Sequence, residues 1–191
     1  RAYASSISPY YLGIDNLKVT LTPTSTWAGT TTDWNTASNW SPSGVPVTSA
    51  PIIIPSGLQT YPNLTGNLTI ATGGSITLQS GAQLTISGTL TNNGTLTLES
   101  GATLVQGSSS TLAGSGTYNV KQAITGDGTT TPSGRFWYLG SPVSLASSSA
   151  YFASNAANVV KKRSESTNAW TALSSGTPEN LMVGQGYYTQ A

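Results

Sequence analysis

The stretch GGSITLQSGAQLTISGTLTNNGTLTLESGATLVQG, Gly73–Gly107, contains one phrase twice and a single charged residue, Glu99. The segment SITLQSGAQLT from Ser75 aligns with TLTLESGATLV from Thr95, so the repeat is twenty residues long. Within each phrase apolar residues alternate with polar ones, which is typical of β-strands. Gly, Ser or Asn separates one short run from the next. The stretch therefore predicts short strands joined by tight turns.

The same spacing of apolar residues continues on both sides of this stretch. Successive runs begin 8, 8, 6, 6, 8, 8 and 6 residues apart, so three strands make one period. Three short strands in a period near twenty are typical of a parallel β-solenoid, in which the same side of successive coils pairs in register. An antiparallel sandwich of short strands is the alternative, but it does not explain the repeat. The runs begin at Leu68, Ile76, Leu84, Leu90, Leu96, Leu104, Leu112 and Tyr118.

Small and polar residues mark the corners of the predicted coils. A glycine is expected where the turn needs a positive φ or where there is no room for a Cβ atom. We expect Asn92 and Asn93 at the equivalent corner of the middle coil, because asparagine tolerates the left-handed region and can bond its own backbone. The corner glycines are Gly81, Gly88, Gly94 and Gly101.

Charged residues make up only 7% of the 191-residue chain, and its net charge is +1. Stacked coils explain the scarcity, because each outward residue has near-identical neighbours about 4.8 Å away, where like charges would repel. Threonine and serine can form hydrogen-bonded rows there instead. So small a net charge argues against nucleic-acid binding, and no apolar run is long enough for a membrane helix. The chain has no Cys and no His, which removes disulfides and the commonest metal ligand.

The predicted fold is all-β: a short three-sided parallel β-solenoid with an N-terminal Trp-rich cap and a C-terminal β module. Open solenoid ends need covering, and the Trp-rich segment before the coils is suited to that. The last segment has aromatic strands and stops in mid-strand, so we expect it to be incomplete. The boundaries are 1–23 for the terminal strand of a preceding or swapped β domain, 24–63 for the cap, 64–125 for the coils, 126–134 for a linker and 135–191 for a β-sandwich-like module.

Several motifs follow one another along the chain. They are IDNLKVT, then TWAGTTTDWNTASNWSPSGVP running into IIIP, then the Gly-rich coils, then RFWYLGSPVS and LMVGQGYY. Together they resemble the module order of large type IX-secreted cell-surface proteins of gliding bacteria. The resemblance covers nearly the whole chain and implies a secreted, extracellular or cell-surface adhesin or filament, or an accessory part of a polysaccharide-degrading enzyme. The C-terminal sorting domain usual in that family is missing, so we expect an internal piece of a longer protein.

These patterns predict a non-enzymatic structural and adhesive segment, with the solenoid as a rigid spacer or stacking unit. Its expected partners are neighbouring modules of the same chain, identical subunits or a surface polysaccharide. The alternative function is an accessory carbohydrate-binding module. A polysaccharide lyase is a third possibility, but acid–base catalysis needs paired carboxylates or a positioned base, and the coils carry only Glu99 and Lys121. We therefore expect no catalytic residue and no cofactor.

Two groups of aromatic residues are candidates for contacts. The first group forms either a stacking platform for sugars or the buried cap of the solenoid, and consists of Trp27, Trp34, Trp40 and Tyr61. In the cap, burial of each side chain would stabilise the fold by roughly a few kcal/mol. We favour the cap. The second group is predicted to be the core of the C-terminal module: Phe136, Trp137, Tyr138, Trp170, Tyr187 and Tyr188.

Two further contacts are considered. Asp15, Asp33 or Asp127 can bind structural calcium together with loop carbonyls, but an isolated Asp among Gly and Asn is more often a turn former, and we favour the turn. The terminal strand can also add to the exposed sheet edge of a neighbouring molecule, which would polymerise the protein. The residues of that contact are Leu12, Ile14, Leu17, Val19 and Leu21.

Overall fold

The structure, a computed structural model, describes residues 22–125, 136–152 and 159–190. Within these ranges the regular structure consists of sixteen β-strands and two short 3₁₀ turns, Ala37–Asn39 and Ser148–Phe152. The all-β prediction is confirmed. The strands are β1 (Ser25–Trp27), β2 (Trp40–Ser41), β3 (Pro51–Ile54), β4 (Asn63–Leu64), β5 (Leu68–Ile70), β6 (Ser75–Leu78), β7 (Gln83–Ile86), β8 (Thr89–Asn92), β9 (Thr95–Leu98), β10 (Thr103–Gln106), β11 (Thr111–Ala113), β12 (Thr117–Val120), β13 (Phe136–Gly140), β14 (Val159–Ser164), β15 (Ala169–Ala172) and β16 (Gly186–Gln190).

The first twelve strands form a three-sided parallel solenoid. The first wall has the order β12-β9-β6-β3-β1, and β2 is added to its end in antiparallel orientation. The second wall has the order β10-β7-β4, and the third has the order β11-β8-β5. Three consecutive strands such as β6, β7 and β8 therefore make one coil, each in a different wall. The predicted β-solenoid is confirmed.

Equivalent residues stack from coil to coil. Ile76 pairs with Leu96 in a parallel ladder, and Leu96 pairs in turn with Tyr118. In the second wall Leu84 pairs with Leu104. The step is twenty residues from Ile76 to Leu96 and 22 from Leu96 to Tyr118. The corner loops therefore absorb differences in length while the walls keep their register.

The inward side chains of successive coils form the core, and outward positions carry hydroxyl groups. Along β6 buried positions alternate with partly exposed ones, as the two-residue period requires. On the outside, the hydroxyls of Thr89 and Thr111 lie 2.9 Å apart in adjacent coils, which is one rung of the expected hydroxyl rows. The buried inward residues are Ile52, Ile54, Ile70, Ile76, Leu78, Leu84, Ile86, Leu90 and Leu96.

The solenoid begins earlier than the sequence predicts. Ile52 of β3 pairs with Ile76, so segment 24–63 contributes strands to the first wall besides covering its end. The cover is the segment between β1 and β3, which includes β2 and holds Trp34 and Trp40. The other end is more open, because β10, β11 and β12 are the outermost strands of their walls in the described part of the chain.

The corner glycines fall into the two expected kinds. Gly81 and Gly101 have φ angles of +79° and +83°, a region that side chains rarely adopt. A Cβ atom on Gly88 would lie 2.5 Å from a carbonyl oxygen of the coil below, and one on Gly94 would lie 2.3 Å from the carbonyl oxygen of Gly74. The first pair is required by the turn and the second by the close approach of stacked corners.

The prediction of a left-handed corner at Asn92 and Asn93 is wrong, because neither residue has a positive φ. Asn92 is instead the last residue of β8 and is completely buried. Its side-chain oxygen accepts a hydrogen bond from the Gly94 N–H at 3.1 Å, so it does bond its own backbone. Its side-chain nitrogen donates to the Thr117 carbonyl at 2.9 Å. Asn92 therefore links two coils from inside the core.

The C-terminal segment forms an antiparallel sheet with the order β13-β16-β14-β15. The described residues of 135–191 form this one sheet and not the two facing sheets of the predicted sandwich. The predicted linker, 126–134, lies outside the described residues. So does the predicted terminal strand, 1–23, apart from its last two residues.

Candidate functional site

Trp27, Trp34 and Trp40, the Trp cluster, lie in the core at the closed end of the solenoid and are 1%, 4% and 2% exposed. The ring of Trp40 makes edge-to-face contacts with the other two, at centroid distances of 4.9 Å to Trp27 and 4.6 Å to Trp34. Trp27 Nε1 donates to the Thr60 carbonyl at 2.9 Å, and Trp40 Nε1 donates to the Trp34 carbonyl at 2.7 Å. A sugar finds no open indole face here, so the hypothesis of a stacking platform is corrected in favour of the cap.

Tyr61 and Asp33 also have structural contacts in this region. Tyr61 is partly buried against the core, and its hydroxyl accepts a hydrogen bond from the Leu58 N–H at 3.3 Å. The Asp33 carboxylate accepts from the Thr36 hydroxyl at 2.7 Å and from the Asn35 N–H at 3.0 Å. Both bonds favour the charged carboxylate and lower the pKa of Asp33, the Thr36 hydroxyl most. Asp33 is thus the turn former that the sequence favours.

Other candidates lie outside the described residues: Asp15 and Asp127, and the strand-addition residues Leu12, Ile14, Leu17, Val19 and Leu21. Among the residues that the structure describes, no three acidic side chains come together in a group that could hold a metal ion.

The two charged residues of the coils are close together. Lys121 Nζ lies 2.7 Å from Glu99 Oε1, across adjacent coils and near the solvent. A cavity of about 950 Å³ lies beside Lys121 and is lined by residues of β13, the 3₁₀ turn Ser148–Phe152 and the solenoid end. Lys121 is the one charged residue that the described part of the chain contributes to its lining. The lysine is paired with Glu99, and Tyr138 and Tyr151 are further polar side chains of the lining.

The C-terminal sheet has one covered face and one open face. Val160, Tyr187 and Thr189 point to the covered face and are buried. The Tyr187 hydroxyl on that side accepts a hydrogen bond from the Met182 N–H at 2.9 Å. Burial raises the pKa of Tyr151, which packs beside Tyr187 with ring centroids 6.2 Å apart. This face is the core of the C-terminal module.

The open face carries four neighbouring aromatic rings, Phe136, Tyr138, Trp170 and Tyr188, which we call the aromatic face. Tyr138 is 77% exposed, Phe136 51% and Trp170 39%. Tyr188 lies in the middle, with ring centroids 4.9 Å from Trp170, 5.7 Å from Phe136 and 6.4 Å from Tyr138. The rings come from β13, β15 and β16, so their contacts span the width of the sheet.

Two cations lie on the same face. Lys161 Nζ lies 5.6 Å from the centroid of the Tyr188 ring, and the Arg163 guanidinium lies 5.7 Å from that of Trp170. Arg163 also donates to the Asn168 side chain and lies 3.8 Å from the Glu165 carboxylate. Lys162 points to the other side of the strand, where its Nζ lies 2.8 Å from the Glu179 carboxylate.

Two glycines leave bare backbone beside the rings. Gly140 and Gly186 pair across β13 and β16, next to the pair of Tyr138 and Tyr188. Both glycines are exposed, and a Cβ atom on Gly186 would meet nothing closer than Arg163 Cβ at 3.7 Å. These two glycines therefore leave a strip of exposed backbone at the side of the aromatic face.

The sequence prediction for this group was therefore wrong for four of its six residues, which lie on the aromatic face. Trp137 and Tyr187 do belong to the covered side of the sheet, but Phe136, Tyr138 and Trp170 are exposed. The sequence segments FWY and YY already indicated this, because consecutive residues of a strand point to opposite faces and these segments therefore place aromatic side chains on both. Aromatic residues on both faces need either a second covering layer or contact with solvent.

The fold and this site define a class of protein: a β-solenoid scaffold followed by an antiparallel sheet with one exposed aromatic face. The chain belongs to the family of the domain of unknown function DUF8693, which matches residues 26–191 and so includes both parts. No curated protein and no solved structure matches it. In the described residues there is no helix long and apolar enough to cross a membrane.

Proposed function

We propose that this chain is a non-enzymatic structural and adhesive segment of a secreted surface protein or extracellular filament. In this proposal the solenoid is a stiff spacer, and the aromatic face of the C-terminal sheet is the surface that makes contact. Its partners are a surface polysaccharide, neighbouring modules of a longer chain or identical subunits. No cofactor takes part.

The solenoid suits a mechanical role because its rigidity comes from backbone ladders. Five parallel strands stack in the first wall, which spans about 20 Å at a strand spacing of about 4.8 Å. Glycines at the corners let successive coils approach closely, and Asn92 ties one coil to the next. The single ion pair of the coils, between Glu99 and Lys121, joins adjacent coils in the same way.

The observation that carries the adhesive part is the exposure of three large aromatic side chains in one contiguous group. Exposed apolar residues scattered singly are normal on soluble proteins, whereas a contiguous patch on a sheet face marks a contact surface. Aromatic rings offer large contact areas at a low cost in side-chain entropy, which suits recognition by a rigid surface.

The test is retention of the whole chain on polysaccharide-coated surfaces. We expect the chain to be retained on at least one polysaccharide and the double variant Tyr138→Ser/Trp170→Ser to lose about tenfold or more of that retention. The matched control is Thr77→Ala/Thr97→Ala, which changes an outward row of the first wall and leaves retention unchanged. Equal retention of the aromatic variant, or no retention on any surface, would contradict the proposal.

The aromatic face also favours the second candidate function, an accessory carbohydrate-binding module of a secreted polysaccharide-degrading enzyme. The two functions differ in what the neighbouring modules do. The reading frame on either side of residues 1–191 separates them: a catalytic module supports the accessory function, and a series of similar solenoid modules supports the adhesin.

A further inference from the structure

We infer that the aromatic face binds an acidic polysaccharide, with sugar rings lying against Tyr138, Tyr188 and Trp170 and an anionic substituent held at Lys161. The inference rests on the proposed function, in which this face is the contact surface. It adds the chemical class of the ligand.

The rings select a ligand that is flat and partly apolar. Aromatic rings have a negative face and a positive edge, so their faces attract the weakly positive C–H groups of a sugar ring. The rings of Tyr138, Tyr188 and Trp170 are tilted by 48° to 70° relative to one another, so they form a faceted surface and not one flat plane. Such a surface suits a polymer whose successive rings change their tilt.

The exposed backbone beside the rings gives the polymer a place to lie. Gly140 and Gly186 expose backbone beside the Tyr138 and Tyr188 pair, and both glycines belong to regular strands. A side chain at Gly186 would make ordinary van der Waals contact with Arg163 and would therefore fit the fold. Its main effect would be to cover the exposed backbone.

The charge on this face selects an anionic ligand. Among the residues that the structure describes, Lys161 has no ion-pair partner, whereas the neighbouring Lys162 is paired with Glu179 on the opposite face. Arg163 is oriented by Asn168 and Glu165 and lies over Trp170. A carboxylate or sulfate group that reaches Lys161 displaces part of the water around the ammonium group and forms an ion pair with it at the rim of an apolar surface.

A single-stranded nucleic acid also stacks on aromatic rings and is anionic. Its affinity depends on several cations along the backbone, however, and the net charge of the chain is only +1. A polysaccharide with one charge per sugar unit or fewer matches a face with one unpaired lysine better.

The experiment measures the mobility of the whole chain in native gels that contain cellulose derivatives with one common backbone. Hydroxyethyl cellulose is the neutral polymer, carboxymethyl cellulose carries carboxylates and cellulose sulfate carries sulfates. A fourth gel contains poly(U). The variants are Lys161→Gln, its matched control Lys162→Gln on the opposite face, and Gly186→Val, which covers the exposed backbone with a residue that suits strands.

We expect retardation by one or both anionic celluloses to exceed that by the neutral polymer and to weaken as salt is added. Lys161→Gln should weaken the apparent affinity about fivefold, and Lys162→Gln should leave it unchanged. Gly186→Val should weaken binding to every cellulose derivative. The carboxylated and sulfated gels distinguish which anionic group is preferred, and preference for either supports the inference.

Three outcomes would overturn the inference. They are equal retardation by neutral and anionic celluloses, equal effects of Lys161→Gln and Lys162→Gln, and stronger retardation by poly(U) than by any polysaccharide. Retardation by hydroxyethyl cellulose that Tyr138→Ser/Trp170→Ser abolishes would keep the proposed function while removing the acidic ligand. No retardation in any gel would contradict the inference, whereas the proposed function falls only if the chain is also not retained on any other polysaccharide-coated surface.

Discussion

The Trp cluster and the aromatic face use the same kinds of side chain in opposite surroundings. In the Trp cluster, Trp27 and Trp40 each donate to a backbone carbonyl, and the solenoid core and the segment between β1 and β3 cover the rings. On the C-terminal sheet, Tyr138 and Trp170 belong to a face that is open to solvent in the described residues. The difference teaches that an aromatic residue stabilises the fold where another layer covers it, and is available to a ligand where none does.

The largest expected difference between the two groups is the loss of stability when a buried indole is removed. We expect Trp40→Ala to lower the free energy of unfolding by about 3–5 kcal/mol, because it leaves a cavity and removes two ring contacts. Trp170→Ala is the matched control on the aromatic face, and we expect it to cost about 1 kcal/mol or less. Denaturant unfolding of both variants measures the difference. Equal losses would mean that the two groups have the same structural role.

The same contrast between covered and open positions occurs within the third wall. Leu90 is 1% exposed, and Leu112, its partner in the next coil, is 50% exposed. We expect Leu90→Ala to cost about 2–5 kcal/mol and Leu112→Ala about 1 kcal/mol. Chemical denaturation gives both values. A large loss at Leu112 would show that further protein covers the last coil.

Glycines give a smaller test of the same contrast. A Cβ atom at Gly94 would collide with the Gly74 carbonyl oxygen of the coil below, so we expect Gly94→Ala to cost about 1–3 kcal/mol. At Gly186 the space is open, and the added methyl group should be neutral or stabilise the strand by up to about 1 kcal/mol. Thermal unfolding measures both changes. If Gly94→Ala has no effect, the corners do not stack as closely as the structure places them.

The smallest effect is expected at Tyr118, where the last coil is partly open. Its hydroxyl is buried and has no hydrogen-bond partner in the described part of the chain. Tyr118→Phe should therefore change the stability by no more than about 0.5 kcal/mol at neutral pH.

Burial raises the pKa of Tyr118 above its usual value of 10.0. A raised pKa means that the neutral phenol contributes its full stability below pH 10 and loses it as the pH rises through the folded-state value. The native chain should therefore lose stability faster above pH 10 than Tyr118→Phe does. Unfolding curves on both sides of pH 10 measure this, and identical pH profiles would place the hydroxyl in water.

The solenoid could be predicted from sequence because three independent signals agree. Ile76 and Leu96 have the two-residue period of strands, the whole phrase repeats after twenty residues, and Gly81 and Gly101 mark equivalent corners. Each signal is local and depends only on backbone geometry. Because every coil repeats the same three signals, a stack of parallel coils is the one arrangement that satisfies all of them.

The site could not be predicted in the same way, because it depends on which layers cover which faces. The two-residue alternation of strands shows that Trp137 and Tyr138 point to opposite sides of β13, but it does not show which side another layer covers. Trp27 and Trp40 lie in β1 and β2, and Trp34 lies in the loop between them, so the three share no strand period and their burial follows from the path of the chain around the closed end. Asn92 looks like a turn residue in the sequence NNG, and only the stacking of coils places it inside the core.

The most direct test of the central claim is quenching of tryptophan fluorescence by acrylamide in the native chain. Trp170→Phe should remove part of the emission that acrylamide reaches, and Trp40→Phe should remove part of the emission that it does not reach. That result would place one tryptophan on an open contact surface and the other in the core. Loss of quenchable emission in Trp40→Phe, with none in Trp170→Phe, would contradict the account.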